Sequence, residues 1–266
     1  MGVCNQRYPT DLTDSQWHLI KEWLPPPATT GRPRLDLREV LNAVFYVLKG
    51  GIPWRMMPTD CPRWQSVYGH FRRWRKDGTW RRIHDALRAR TRRRAGRHKH
   101  PTAGCLDSQS VRTSEAAAPG TRGCDWHKRV KGRKRHLLVD TTGLLLAVAV
   151  TAANVQDKAG ALLALDARGG GGKKLRRVWA DGAYRTEQGH LAAWLERHRI
   201  ALTAVTPPAG QRGFQVLPRR WVVERTFGWL NQSRRLSKDY ERLVETSQAF
   251  IHVAMTRLML RRLAPQ

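Results

Sequence analysis

Three acids stand where ordinary folding rules do not favour them. Asp107 lies inside the short, strand-like run Ala103-Gly-Cys-Leu-Asp-Ser-Gln-Ser-Val111, and Asp181 closes the apolar run Val178-Trp-Ala-Asp-Gly182. Aspartate is disfavoured within strands and costly to bury unpaired, so two such residues call for a compensating charge. The third acid, Glu224, sits among basic residues in the stretch from Arg220 to Leu236, which reads as a helix. At about 100° per residue, Val223, Phe227 and Leu230 form an apolar stripe, with Arg220, Glu224, Asn231, Arg235 and Lys238 on a neighbouring one. Taken alone, Glu224 and Arg220 are an i, i+4 ion pair contributing a few tenths of a kcal/mol. If the two strands are neighbours and the helix packs over their edge, three carboxylates converge. Such hard oxygen ligands suit Mg²⁺ or Mn²⁺, which keep water and bridge to phosphate. Two such ions can activate a water or 3′-hydroxyl and stabilise the leaving oxygen of an in-line displacement. Asp140 and Asp157 compete for this duty, but Asp140 falls at a turn.

The charge balance points to the substrate. Among 266 residues, 49 Lys plus Arg against 21 Asp plus Glu give a net charge of +28, a field that favours a polyanionic partner. Most of the cations are Arg, whose planar fork suits phosphate, and they are interleaved with 11 Trp residues in a pattern expected of a folded nucleic-acid binder. Cys4, Cys61, Cys105 and Cys124 show no C-x-x-C spacing, which argues against zinc and for reduced, structural thiols. No signal peptide precedes Tyr8, and the longest apolar run, near Leu144 to Ala153, is too short to span a bilayer, so a cytoplasmic protein is expected.

The elements that must hold these residues fall into two groups. Residues 10 to 90 read as helical. Thr13-Asp-Ser-Gln16 supplies an N-cap before Trp17, Pro25-Pro-Pro27 a stop, Gly31-Arg-Pro-Arg34 a basic turn, and Gly50-Gly51 the end of a helix from Leu35. Two further helices are expected from about Arg63 to Trp74 and from Thr79 to Arg90. Short helices with tight turns, rich in Arg and aromatics, resemble a helix-turn-helix-like DNA-binding domain, in which Arg72 and Arg73 would face phosphate. Residues 91 to 104 read as a basic linker. From 105 to 266 the pattern changes. A strand through Asp107 and a hairpin of Arg133 to Asp140 with Leu144 to Ala152 are followed by a helix over 158–168, a strand over 175–181, a helix over 186–199, a strand over 200–206 and a long helix from Arg219. That order implies a mixed five-stranded sheet with helices and matches the ribonuclease H fold. The loop between Val111 and Arg133 reads as a clamp for nucleic acid. Gly169 to Gly172, with no Lys-Ser or Lys-Thr after it, reads as a connector rather than a nucleotide cradle.

Leu106-Asp-Ser-Gln-Ser-Val111, Trp179-Ala-Asp-Gly-Ala-Tyr184 and Trp221-Val-Val-Glu-Arg-Thr-Phe227 resemble the three catalytic segments of the DDE transposases of bacterial insertion sequences, specifically the insertion-sequence-five group. Leu12-Thr-Asp-Ser-Gln-Trp17 and Gly51-Ile-Pro-Trp-Arg55 extend the likeness over nearly the whole chain. The resemblance implies an α/β ribonuclease H-like core in which Asp107, Asp181 and Glu224 are the catalytic metal ligands, with Mg²⁺ or Mn²⁺ as cofactor and Arg220 nearby. The family motif often carries Tyr three positions before that Arg and Lys seven after the Glu. Here Leu217 and Asn231 occupy those places, and Arg234, Arg235 and Lys238 are the candidates for the lysine's DNA contact.

The implied function is that of a transposase. It would bind the terminal inverted repeats of its element, cut the DNA ends in a metal-dependent step and join them to a target duplex. Its partners would be double-stranded DNA and further copies of itself, as a homodimer or higher oligomer, with no membrane. Lys128, Lys131, Arg133 and Lys134, dense between the first two core strands, are expected to hold the DNA backbone. The competing readings are a catalytically inactive DNA-binding descendant and a ribonuclease H-type nuclease.

Overall fold

Thr13 starts the first helix as expected: its Oγ1 accepts from the Gln16 N–H at 3.1 Å while Gln16 Oε1 accepts from the Thr13 N–H at 3.4 Å. The computed structural model describes residues 7–26, 35–169, 172–206 and 219–265. Cys4, Pro27, the basic turn Gly31-Arg-Pro-Arg34, Gly170, Gly171 and Leu217 lie outside the described residues. The chain divides into two compact units.

The first unit comprises the residues up to Arg97, Gln232–Ser237 and those from Ala249 onward. It contains α1 (Asp14–Ile20), continued by a 3-10 turn over Lys21–Trp23, then α2 (Leu37–Gly50), α3 (Trp64–Lys76) and α4 (Thr79–Arg94). Asp36 caps α2 by accepting from the Arg38 N–H at 2.8 Å. Gly51 ends it at φ 74°, and a Cβ there would fall 2.9 Å from Arg234 Cβ, so glycine is required by dihedral and by space. Two residues, Asp77 and Gly78, separate α3 from α4, and Trp74 meets Trp80 edge to face at 5.2 Å across that turn. Phe71 packs on Phe250 with ring centres 4.7 Å apart, so the last helix, α8 (Val244–Leu263), completes this core. The units therefore differ from a division at 91–104: α4 runs to Arg94, and the residues from Ala249 belong with the helices rather than with the sheet.

The second unit holds β1 (Ala103–Arg112), β2 (Gly123–Asp125), β3 (Val130–Asp140), β4 (Leu145–Ala152), β5 (Arg177–Asp181) and β6 (Ala201–Val205). β1 runs antiparallel to β3, β3 antiparallel to β4, and β1, β5 and β6 are mutually parallel. β2 pairs with residues 130–132 on the edge of β3 that β4 follows farther along, so six strands fill the five expected positions. The Thr-Gly hairpin turn is held by Asp140, which accepts from the N–H groups of Thr142 at 2.8 Å and Leu144 at 2.9 Å.

Each strand presents alternate residues to opposite faces. Leu106, Leu138, Val178 and Ala180 pack on one face with Ala161, Ala164 and Leu165 of α5 (Asp157–Asp166) and Leu191 and Leu195 of α6 (His190–Arg197). α7 (Trp221–Asn231) packs against β1 and β3, with Val223, Phe227 and Leu230 buried. The helix expected to continue through Lys238 stops at Asn231. Ser233 is extended (φ −100°, ψ 113°), and a separate 3-10 turn, Arg234–Leu236, follows. Asn and Ser offer the backbone non-helical hydrogen bonds, which periodicity does not register. Among the described residues, no helix is long and apolar enough to cross a membrane.

Candidate active site

Parallel pairing of β1 with β5 covers Ala103↔Arg177, Gly104↔Val178 and Cys105↔Trp179. Past that point β1 continues beside β3 alone and β5 beside β6, so the two strands part. Asp107 and Asp181 lie two residues beyond the last pair, one on each lip of the opening. This is where a sheet whose neighbouring strands lead away in opposite directions leaves a crevice at their carboxyl ends. Side chains two apart on a strand share a face. Cys105 and Trp179 both touch Arg219, just before α7, so Asp107 and Asp181 project to the α7 side of the sheet.

Asp107 is anchored through Oδ1 to the Ser108 N–H at 2.7 Å, and Asp181 through Oδ1 to the Ala183 N–H at 2.9 Å. Burial is the main reason the Asp107 carboxyl is pushed up to about 7. The Asp181 charge adds to the rise, whereas the Ser108 N–H and the charges of Arg220 and Lys128 oppose it. Two hard oxygen donors, one desolvated by burial and near enough to feel the other's charge, fit a divalent cation, which would relieve both causes. Glu224 is turned onto Arg220 at 3.2 Å, with side chains 43% and 30% exposed. Arg220 is thus the cation felt by both Glu224 and Asp107. Among the described residues, no three His, Cys, Asp or Glu side chains stand close enough to hold one ion together.

The competing acids have other duties. Asp140 holds its turn, while Asp157, opening α5, accepts from Ser108 Oγ at 2.8 Å and pairs with Lys134 Nζ at 3.0 Å. Tyr184 is buried directly after the Asp181 turn. Burial, then the charges of Asp107 and Asp157, raise its pKa, so the hydroxyl stays protonated. Burial likewise pushes the Cys105 thiol up to about 12 and keeps it a donor.

Three of the cations expected to touch DNA are inside the protein. The Arg133 guanidinium, fully buried, donates to Asp239 Oδ1 at 3.1 Å, to the Glu241 and Arg242 carbonyls at 2.7 and 2.8 Å, and to Thr121 Oγ1 at 2.7 Å. Lys134 donates to the Val155 carbonyl at 2.9 Å besides pairing with Asp157. Arg235 is 8% exposed, donates to the Ile52 carbonyl at 3.1 Å and lies 5.5 Å from the Phe250 ring. Each charge is used to join segments distant in sequence, so these three expectations are corrected. Lys128, Lys131, Arg234, Lys238, Arg72 and Arg73 are exposed, and Arg220 is half-buried. Arg235 and Lys238 lie past the end of α7 and do not continue the Glu224 stripe.

Sequence reading passed over Trp126. It stands 80% exposed in the loop between β2 and β3 and lines a cleft of about 450 Å³ with His127, Asn154, Lys158 and Ala183. Its signal was an aromatic residue followed by His-Lys-Arg. It also passed over Arg219, whose φ of 73° is a backbone conformation no sequence pattern announces for arginine.

Two family profiles match the chain. The profile described as "Putative transposase of IS4/5 family" matches residues 12–84, and "Transposase DDE domain" matches residues 98–259. Two curated proteins of Burkholderia cepacia are similar. The "Putative transposase for insertion sequence element IS402" is 37% identical over 133 residues, 45% of this chain and 59% of the relative. The "Insertion element IS402 uncharacterized 16.2 kDa protein" is 32% identical over 108 residues, 38% of this chain and 72% of the relative. The match thus spans about three-fifths of the first relative's length. The DDE domain implies a ribonuclease H-like fold, consistent with the mixed sheet and its flanking helices.

Proposed function

Because the chain belongs to the DDE transposases of IS4/5-type insertion sequences, we propose that it binds the terminal inverted repeats of its element, hydrolyses the DNA ends to free 3′-hydroxyls, and joins those ends to a target duplex. The observation that carries this reading is the placement of Asp107 and Asp181 on the two lips of the β1–β5 opening, facing α7. It acts on DNA in the bacterial cytoplasm, as a dimer or larger assembly on the element ends.

Asp107 and Asp181 would hold Mg²⁺ or Mn²⁺, with Glu224 as the third carboxylate. The chemistry such an ion would supply is activation of the attacking oxygen and stabilisation of the leaving one. The protein's remaining task is positioning and charge neutralisation, as expected for phosphoryl transfer. Arg220, now paired with Glu224 at 3.2 Å, would present its guanidinium to the scissile phosphate. Lys128 with Lys131 holds the backbone beside the carboxylates. In the helical unit, α3 and α4 act as a helix-turn-helix-like pair that reads the element ends, with Arg72 and Arg73 on phosphate. Arg234 and Lys238 extend the contact.

The test is strand transfer in vitro with Mg²⁺ or Mn²⁺, comparing wild type with Asp107→Asn, Asp181→Asn and Glu224→Gln. Joined products in wild type alone, with end binding retained by every variant, are expected. Activity retained in all three variants would remove the metal-site assignment. End binding without cleavage in wild type would identify an inactive descendant, and cleavage of RNA–DNA hybrids without joining a ribonuclease H-type nuclease.

A further inference from the structure

Arg219 touches both strands that carry the aspartates. Its carbonyl oxygen accepts from the Cys105 thiol at 3.0 Å, and its guanidinium lies 4.9 Å from the centre of the Trp179 ring. Cys105 and Trp179 are themselves the last register pair between β1 and β5. Asp107 follows Cys105 by two residues, Asp181 follows Trp179 by two, and the α7 helix bearing Glu224 begins two residues after Arg219. One residue therefore ties together the three backbone segments from which the three acids project.

The backbone shows that this tie is imposed. Arg219 adopts φ 73°, a left-handed conformation that costs a residue with a Cβ and is rare outside glycine and asparagine. A local sequence preference does not produce it, so tertiary contacts must hold it. The thiol hydrogen bond fixes the carbonyl and the cation–π contact fixes the side chain. We propose that Cys105, Trp179 and Arg219 form a clamp that sets the entry of α7 over the β1–β5 opening, making them positioning residues for a divalent metal held by Asp107, Asp181 and Glu224. This rests on the metal-dependent reading above. Cys105 and Trp179 precede Asp107 and Asp181 by two positions on their strands, Arg219 precedes α7 by two, and Arg219 itself is exposed. Release of the clamp loosens the geometry of the carboxylates while leaving the cations that bind DNA in place.

The experiment measures Mn²⁺ affinity of the full chain by titration calorimetry for wild type, Asp107→Asn, Arg219→Gly, Arg219→Lys and Trp179→Leu. Binding of element-end DNA and the urea midpoint are followed in parallel. Arg219→Gly accepts the backbone conformation and removes the whole side chain, the guanidinium included, so it should remain folded. Its Mn²⁺ affinity should fall on the order of tenfold, as for residues that orient metal ligands, with DNA affinity and urea midpoint near wild type. Trp179→Leu should behave alike, and Arg219→Lys should recover part of the loss. In strand transfer, the Arg219→Gly defect should appear as a higher Mn²⁺ requirement that excess metal overcomes. Unchanged Mn²⁺ affinity in Arg219→Gly and Trp179→Leu, with wild-type binding abolished by Asp107→Asn, overturns the clamp alone. Wild-type binding that Asp107→Asn does not weaken overturns the metal centre and the clamp with it.

Discussion

Arg133 and Asp239 form an ion pair at 3.1 Å with side chains 0% and 1% exposed. The guanidinium comes from β3 and the acid from the segment preceding α8, which Arg133 also holds through the carbonyls of Glu241 and Arg242. Removing one member of such a pair strands the other charge in a low-dielectric site. Arg133→Ala should therefore lower stability by about 3–5 kcal/mol, read as a lower urea midpoint. Any loss of DNA binding should disappear at temperatures where the variant is folded.

The exposed cations should behave in the opposite way. Lys128→Ala and Lys131→Ala, or Arg72→Ala and Arg73→Ala, should leave the urea midpoint within about 0.5 kcal/mol of wild type. Each should weaken end binding and reduce the slope of log affinity against log salt by about one. Affinity measured across a salt series checks this, and an unchanged slope would take the residue out of the interface.

Trp126 offers its ring to solvent beside these lysines. Base stacking on an aromatic side chain contributes about 1–3 kcal/mol per base, so Trp126→Ala should weaken binding of an end with an unpaired overhang by about tenfold or more. A blunt duplex should be affected less. Equal losses on both substrates would count against stacking.

His136 gives the fold a pH dependence. Its ring is buried in β3, with Nε2 3.0 Å from Thr151 Oγ1, and burial, the main cause, lowers its pKa from 6.5 to about 4. The unfolded chain then binds the proton more readily than the folded one between those values. The stability is complete above pH 6.5 and is lost as pH falls toward 4, by about 3 kcal/mol in total. Urea midpoints measured from pH 7 to pH 4 should show this fall, and His136→Gln should flatten it.

The same ring explains a glycine in α5. A Cβ at Gly160 would lie 2.0 Å from His136 Cε1. Gly160→Ala, ordinarily favourable in a helix, should here destabilise by about 1–3 kcal/mol through overpacking. The loss should shrink in a His136→Ala background, which a double-mutant cycle would show.

Features specified by near neighbours were legible in the sequence. The Thr13–Gln16 capping box, the Asp140 turn and the strand through Asp107 each depend on residues within a few positions, and each formed where expected. The family segments also set Asp107 and Asp181 on strands and Glu224 on a helix, which is where these residues lie. What sequence could not disclose was the destination of a charge. Arg133 finds Asp239 106 positions away, and Arg235 finds the Ile52 carbonyl 183 positions away. An arginine that organises a core is written with the same letter as one that meets phosphate. The end of α7 was hidden for a related reason. Polar residues at helical spacing continue past Asn231, but nothing apolar at that spacing obliges the helix to go on.

The assignment of the residues from Ala249 onward to the helical unit bears on how the protein is made. Phe71 waits for Phe250, so the helical core cannot close until the ribosome has passed the whole sheet. During synthesis, α1 to α4 can pack on one another but lack the apolar face of α8, while β1 to β6 can assemble. The unit encoded first is the one finished last, and a nascent chain cannot complete its helical fold before Asp107, Asp181 and Glu224 have been translated.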